Sequence, residues 1–307
     1  MTIKEFIEEL HQKGIQVSFS GTKLKYKGPE EHITPELIEK LKKFKPKLLK
    51  YYWPEEFTNL MPINTEGTKQ PLFIVHGDNA NYIISDHLGC DQPVFGFFHP
   101  GSDGEKIKYT SVEQMGEDYL AQVLKICPNE PYSLIGFSYG GVLAYDMAVH
   151  LQKAGKKVDM LILIDTFSPL AKEPIRWEKS LYMIIRKNFL RPPRIKLKRL
   201  RKLLICKMYV AMKKPVPVER RKDYMYITYM NLTKKYKPDK FDGDILLFRS
   251  TKNPSSHQYL GWETLVNNIK MVEIEGKHLE IFIGKERAEL LATEIETFMK
   301  EKNAGKR

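Results

Sequence analysis

Ser138 lies in the run Gly136-Phe137-Ser138-Tyr139-Gly140-Gly141. The apolar stretch Ser133-Leu134-Ile135 precedes it and the helix-forming Val142-Leu143-Ala144-Tyr145 follows. A serine flanked by glycines at a sharp strand-to-helix turn is exposed as a nucleophile above the end of a sheet. Gly136 and Gly140 keep Cβ atoms out of the tight turn, and Gly141 lets the new helix pack close to the strand. The chemistry such a turn supports is acyl transfer through a covalent ester. The backbone N–H of Tyr139, at the helix N-terminus, is suited to stabilise the oxyanion that forms.

A serine nucleophile needs a base, and the base an orienting acid. Asp165 closes the apolar run Leu161-Ile162-Leu163-Ile164, at the carboxyl end of the next predicted strand, the edge where open α/β sheets carry their sites. The strand after that ends Leu247-Phe248-Arg249-Ser250-Thr251-Lys252-Asn253, with no acid, so Asp165 is the expected one. His278 follows the last strand in Glu275-Gly276-Lys277-His278 and completes the chain order Ser, Asp, His. His76, His99 and His257 fit the base role less well. In His76-Gly77-Asp78, after the first core strand, the Asp78 N–H is the expected second oxyanion donor. A carboxylate beside an oxyanion is unfavourable, so the Asp78 side chain is expected to point away or to be paired elsewhere. Cys90, Cys127 and Cys206 are odd in number and widely spaced, which suits neither a disulfide framework nor a metal site. No metal and no bound cofactor are expected.

The elements that must hold these residues follow from hydrophobic patterning. Short apolar runs at Leu72–Val75, Val94–Phe97, Ser133–Phe137, Met160–Ile164, Ile245–Phe248 and Met271–Ile274 alternate with helical stretches near 111–126, 139–154 and 285–300. Apolar strands separated by helices predict an α/β fold with a mostly parallel sheet covered on both faces. Residues 1–53 form a separate small unit. A Thr2/Glu5 capping box opens a helix carrying Ile3, Phe6, Ile7 and Leu10, and Gly14 ends it. Alternation at Ile15, Val17, Phe19 and at Leu24, Tyr26 predicts a hairpin around Ser20-Gly21-Thr22. Thr34-Pro35 opens a second helix, which Pro46 is expected to break. Residues 54–70, with Pro54, Pro62 and Gly67, read as a linker, and residues 71–307 as the main domain.

The 307 residues carry a net charge of +12, unevenly distributed. Residues 171–240 hold 22 Lys/Arg against 5 Asp/Glu, a net of +17, and interrupt the strand–helix rhythm as a helical, proline-punctuated insertion. Such an insertion between two strands is expected to form a lid. Its charge suits nucleic acid, an acidic protein or a phosphate-bearing substrate. Arg191, Arg194, Lys196, Lys198, Arg199 and Arg201 are the candidate contacts. No apolar run reaches membrane-spanning length and the N-terminus lacks a secretion pattern, so the cytosol is the expected compartment and no membrane contact is expected.

Residues about 71–300 resemble the thioesterase domains of non-ribosomal peptide and polyketide synthetases, which have the α/β-hydrolase fold. The resemblance is carried by Pro71-Leu72-Phe73-Ile74-Val75-His76-Gly77, the Ser138 motif with its double glycine, Leu163-Ile164-Asp165-Thr166, Gly261-Trp262 and Gly276-Lys277-His278. The chain departs from the pattern at Lys277, often Asp in the family, and in the oxyanion loop. There Asp78-Asn79-Ala80-Asn81 stands where a glycine pair is common. Residues 1–53 resemble the tubulysin-synthetase type of N-terminal docking domain, through Thr2-Ile3-Lys4-Glu5, Gly14, Leu24-Lys25-Tyr26 and Thr34-Pro35-Glu36-Leu37.

The resemblance implies a substrate held as a phosphopantetheine thioester on an acyl or peptidyl carrier protein. It also implies a second partner, the C-terminal tail of an upstream synthetase subunit. Lys23, Lys25 and Lys27 alternate along the second hairpin strand and suit an acidic tail; the same lysines also suit protection of an open strand edge. The basic insertion then reads as a carrier contact, and nucleic acid is not expected. A stand-alone editing thioesterase, a general esterase and a non-catalytic scaffold are the alternatives.

Overall fold

The computed structural model describes residues 2–20, 23–53, 57–171, 201, 204–253 and 255–304. The N-terminal unit begins with α1 (Ile3–Gln12). Its capping box is formed: the Glu5 N–H donates to Thr2 Oγ1 at 3.2 Å and the Thr2 N–H to Glu5 Oε2 at 2.7 Å. Strands β1 (Gln16–Ser20) and β2 (Lys23–Lys27) form an antiparallel hairpin. Its pairing puts Lys23, Lys25 and Lys27 opposite Ser20, Ser18 and Gln16, and Lys25 and Lys27 share one face. On the other face Leu24 packs on the small core, whereas Tyr26 is 38% exposed.

Helix α2 (Pro35–Tyr51) runs unbroken through Pro46, contrary to the expected break. A mid-helix proline removes one backbone donor and crowds the carbonyl four residues back, at a cost of about 3 kcal/mol, which is offset by keeping Leu37, Leu41 and Leu48 on one line to close a core with Phe6, Ile7, Leu10 and Ile15.

Among the described residues the main sheet has seven strands, in the order β3-β5-β4-β6-β7-β8-β9. They are β3 (Leu60–Asn64), β4 (Leu72–Val75), β5 (Val94–Phe97), β6 (Tyr132–Phe137), β7 (Val158–Ile164), β8 (Ile245–Ser250) and β9 (Ile269–Ile274). All pairs are parallel except β3 with β5. The edge strand β3 lies within the stretch read from the sequence as a linker. Its Pro62 masks the strand signal, and an edge is where a strand tolerates proline. That stretch is packed: Phe57 and Leu60 are buried, and the Trp53 indole donates to the Leu60 carbonyl at 2.7 Å.

Alternate residues of the strands serve two cores. Phe73, Val75 and Leu134 face a layer containing α4 (Val112–Ile126) and α5 (Tyr139–Lys153). Leu72, Ile74 and Ile135 face α3 (Asn79–Leu88) and α7 (Lys285–Ala304). Between β7 and β8, residues 204–211 are helical and α6 (Val218–Thr233) buries Tyr229 and Leu232 against the first core.

On α5, Asp146 is buried, accepts a hydrogen bond from the Tyr236 hydroxyl and lies 3.2 Å from His150 Nδ1. Burial pushes its carboxyl up to about 6, against the opposing pull of His150 and Tyr236. A carboxyl raised on folding favours the protonated native state. Its destabilising effect is therefore absent below the unfolded value of 3.8 and grows as pH rises to about 6, to at most ~3 kcal/mol. Asp146→Asn is expected to raise the thermal midpoint above that of the native protein at pH 7.5, with the gain shrinking between pH 6 and 4. A gain that does not change with pH would contradict this.

Candidate active site

The carboxyl ends of β4, β6, β7, β8 and β9 lie at one edge of the sheet, and each delivers one part of the site. Ser138 follows β6 with φ 55° and ψ −120°, a left-handed conformation for a residue with a side chain. The turn tolerates no Cβ at its glycines. One at Gly136 would run into the Gly140 carbonyl, and one at Gly140 into the Val75 carbonyl. A Cβ at Gly141 would strike Thr166, so this glycine brings α5 against the turn that follows the acid. The Ser138 N–H donates to the Ile164 carbonyl at 2.9 Å, tying the turn to β7.

Asp165, next along β7, is fully buried. Its Oδ2 accepts from His278 Nδ1 at 2.7 Å and from the Ser250 hydroxyl at 2.8 Å. Its Oδ1 accepts from the Ser250 N–H at 3.0 Å and from Asn253 Nδ2 at 2.8 Å. Burial pushes this carboxyl up, but the hydrogen bonds from His278, Ser250 and Asn253 outweigh it and hold it below the usual value, so it stays ionised. The fully buried Trp262 steadies the turn by donating its indole N–H to the Thr166 carbonyl at 2.7 Å.

His278, in the loop after β9, has Nε2 2.9 Å from Ser138 Oγ. Its ring stacks on Phe137 at 4.9 Å and is 40% exposed, and Ser138 is itself half-buried. Ser138, His278 and Asp165 thus form one continuous hydrogen-bonded line. Such a line can deprotonate the serine, hold the imidazolium and return the proton to a leaving group.

The oxyanion candidates lie beside this line. Tyr139 is the first residue of α5, where no helical carbonyl can accept its N–H. Asp78 precedes α3 with φ 46°. Its side chain is 64% exposed, with Oδ2 3.7 Å from His99 Nε2. The Tyr139 ring stacks face to face on Tyr229 of α6 at 4.3 Å, and the Tyr229 hydroxyl donates to the Pro100 carbonyl at 2.9 Å. His76 is buried beneath them, with its ring 4.0 Å from His99 and its Nε2 3.0 Å from the Tyr119 hydroxyl. Burial keeps both imidazoles below the usual histidine range, hence neutral.

Sequence patterning did not point to Ser250, Asn253 or Tyr229. A pair of short polar residues just past an apolar strand was the available signal for the first two. Of the basic contacts expected on the insertion, Arg191, Arg194, Lys196, Lys198 and Arg199 fall outside the described residues, and Arg201 is exposed. Lys25 and Lys27 are exposed on β2. A cavity of about 630 Å³ opens between residues 204–211 and α6, lined by Cys206, Val210, Tyr224 and Ile227 among others. Ser138, Asp165 and His278 do not line it. Among the described residues no helix is long and apolar enough to cross a membrane.

Residues 85–299 match the family model of the thioesterase domain, and residues 3–53 that of the TubC N-terminal docking domain. Malpibaldin synthetase of Mortierella alpina is 40% identical over 116 residues, 36% of this chain and 2% of that protein. The dimodular nonribosomal peptide synthase of Bacillus subtilis (strain 168) is 26% identical over 241 residues, 72% of this chain and 10% of that one. The chain therefore spans only a small part of the curated relatives it matches. Among solved structures, the NocB thioesterase domain from the nocardicin cluster superposes with a TM-score of 0.58 at 20% identity, covering 79% of this chain and 99% of that one. The SrfTE thioesterase domain, described for cyclization of the lipopeptide surfactin, gives 0.52 at 18%, covering 80% and 96%. At these identities the likeness is one of fold.

Proposed function

The chain belongs to the thioesterase-domain family, and we propose that it releases an acyl or peptidyl chain from a carrier-protein phosphopantetheine thioester through a Ser138 acyl-enzyme, in non-ribosomal peptide or polyketide biosynthesis. The observation that carries this reading is the line from Ser138 Oγ to His278 Nε2 at 2.9 Å and from His278 Nδ1 to Asp165 at 2.7 Å. In the first half-reaction Ser138 Oγ attacks the thioester carbonyl as His278 takes its proton. The Tyr139 and Asp78 N–H groups hold the oxyanion. Collapse of the tetrahedral intermediate breaks the C–S bond, and His278 returns the proton to the phosphopantetheine sulfur. In the second half-reaction His278 deprotonates water, giving an acid, or an amine or hydroxyl of the same chain, giving a ring. Asp165, ionised and locked by four hydrogen bonds, keeps the imidazole in the tautomer both steps need.

The match of residues 3–53 to a docking domain favours a substrate delivered by a tethered partner over a free-standing editing role. In this reading an acidic C-terminal tail of an upstream subunit adds to the open edge of β2 and meets Lys23, Lys25 and Lys27. Tethering raises the effective concentration of the carrier to about the millimolar range. Reversing the three lysines to glutamate in the full chain is expected to raise the KM for the tethered natural substrate about tenfold at low salt, since each exposed pair contributes ~0.2–1 kcal/mol. The loss should fade at high salt, and a small soluble thioester should be turned over unchanged. Equal losses on both substrates would contradict a docking role.

A further inference from the structure

The loop that carries Asp78 lacks the glycine pair common in resembling domains, yet its backbone still turns left-handed at two residues with side chains, His76 (φ 57°) and Asp78 (φ 46°). Each such residue costs about 1–3 kcal/mol and persists only where its surroundings over-determine it. His76 is held by its N–H to the Phe97 carbonyl at 2.9 Å and by its ring. Asp78 has no side-chain cap on α3 and points its carboxylate outward. What packs beneath it is Asn81, fully buried on the first turn of α3. A Cβ at Gly77 would run into Asn81 Oδ1, and one at Gly96, on the adjacent strand, into Asn81 Nδ2. The carboxamide is thus wedged between two backbones that leave it room only because both residues are glycines. Neither of its polar atoms has a hydrogen-bond partner among the described residues. Burying such a group without partners costs about 1–3 kcal/mol, so stability alone does not account for an amide here.

We propose that Asn81 is a positioning residue for the oxyanion loop: its carboxamide, wedged between Gly77 and Gly96, sets the Gly77–Asp78 peptide so that the Asp78 N–H faces the developing oxyanion. This rests on the reading of Asp78 as an oxyanion donor. The Asn81 N–H to the Asp78 carbonyl (3.2 Å) and the Ala80 N–H to the Gly77 carbonyl (2.8 Å) close the other side of the same loop. With both amide atoms unpartnered, the wedge acts through shape, so an apolar residue of similar outline replaces it and a smaller one does not.

Asn81→Ala and Asn81→Leu in the full chain test this, with active sites counted by fluorophosphonate labelling so that misfolded protein drops out. On an N-acetylcysteamine thioester, Asn81→Ala is expected to lower kcat about 100-fold, the scale of losing one oxyanion donor, with KM within threefold (roughly 0.7 kcal/mol). Asn81→Leu, which branches at Cγ as asparagine does, should keep kcat within about threefold, roughly 0.7 kcal/mol. Amide exchange at His76 and Ala80 should quicken in Asn81→Ala and not in Asn81→Leu, whatever the turnover. Unchanged kcat and unchanged exchange in Asn81→Ala would overturn the proposal. Turnover by Ser138→Ala at the native rate would instead overturn the reading of the site, and the exchange comparison would still decide the wedge.

Discussion

Ser138→Ala is expected to lower thioester turnover by on the order of 10⁵–10⁶, because removing the nucleophile of a Ser-His-Asp line leaves only binding and the oxyanion donors. The geometry makes this the largest single effect. Ser138 Oγ is the atom His278 Nε2 reaches, at 2.9 Å, and it sits where β6 and α5 meet beside the Tyr139 N–H. Alanine keeps the Cβ, so the left-handed backbone at φ 55° stays strained and the thermal midpoint should hardly move. Ser138→Gly should be equally inactive but more stable, by roughly 1 kcal/mol, since glycine adopts that conformation freely. The measurements are initial rates on a soluble thioester and thermal unfolding of both variants. Activity within tenfold of native in Ser138→Ala would mean that another residue is the nucleophile.

Asp165→Asn is expected to cost on the order of 10⁴ in kcat, as the same change does in other Ser-His-Asp enzymes. The cause is local. Asp165 Oδ2 accepts the His278 Nδ1–H at 2.7 Å, while Oδ1 accepts from the Ser250 N–H and Asn253 Nδ2. An asparagine keeps its carbonyl oxygen toward those two fixed donors and so turns its NH₂ toward His278. The imidazole then carries its proton on Nε2 and cannot accept one from Ser138. KM should change little, because Asp165 is buried away from substrate. A loss under tenfold would place the orienting acid elsewhere. Ser250→Ala, which removes one of the two donors to Oδ2, is expected to have a smaller effect in the same direction.

The parts of the site legible in the sequence are those that local rules dictate. The Ser138 turn shows itself through three glycines, each of which the fold needs for close approach. Asp165 shows itself by ending an apolar strand. The strand cores at 72–75 and 94–97 coincide with the apolar runs because strands buried on both faces must be apolar throughout. What escaped reading depends on distant contacts. Ser250 and Asn253 reach Asp165 across more than 80 residues of chain. Tyr229 meets Tyr139 from the far side of the insertion. Strand β3 was hidden by Pro62, and the continuity of α2 by Pro46, because proline is a local signal that a packed edge or a continuous apolar stripe overrides. Asn81 was visible only as part of a departure from a glycine pair; its place under Gly77 comes from the β4–β5 pairing that brings Gly96 alongside.

In the proposed reaction the released chain passes through an ester on Ser138. Rapid-quench intact-protein mass spectrometry during a single turnover of an acyl-carrier thioester tests it directly. A transient mass increase equal to the acyl group is expected, mapping to the peptide that contains Ser138 and absent in Ser138→Ala. An acyl adduct on another residue, or one that still forms in Ser138→Ala, would contradict it.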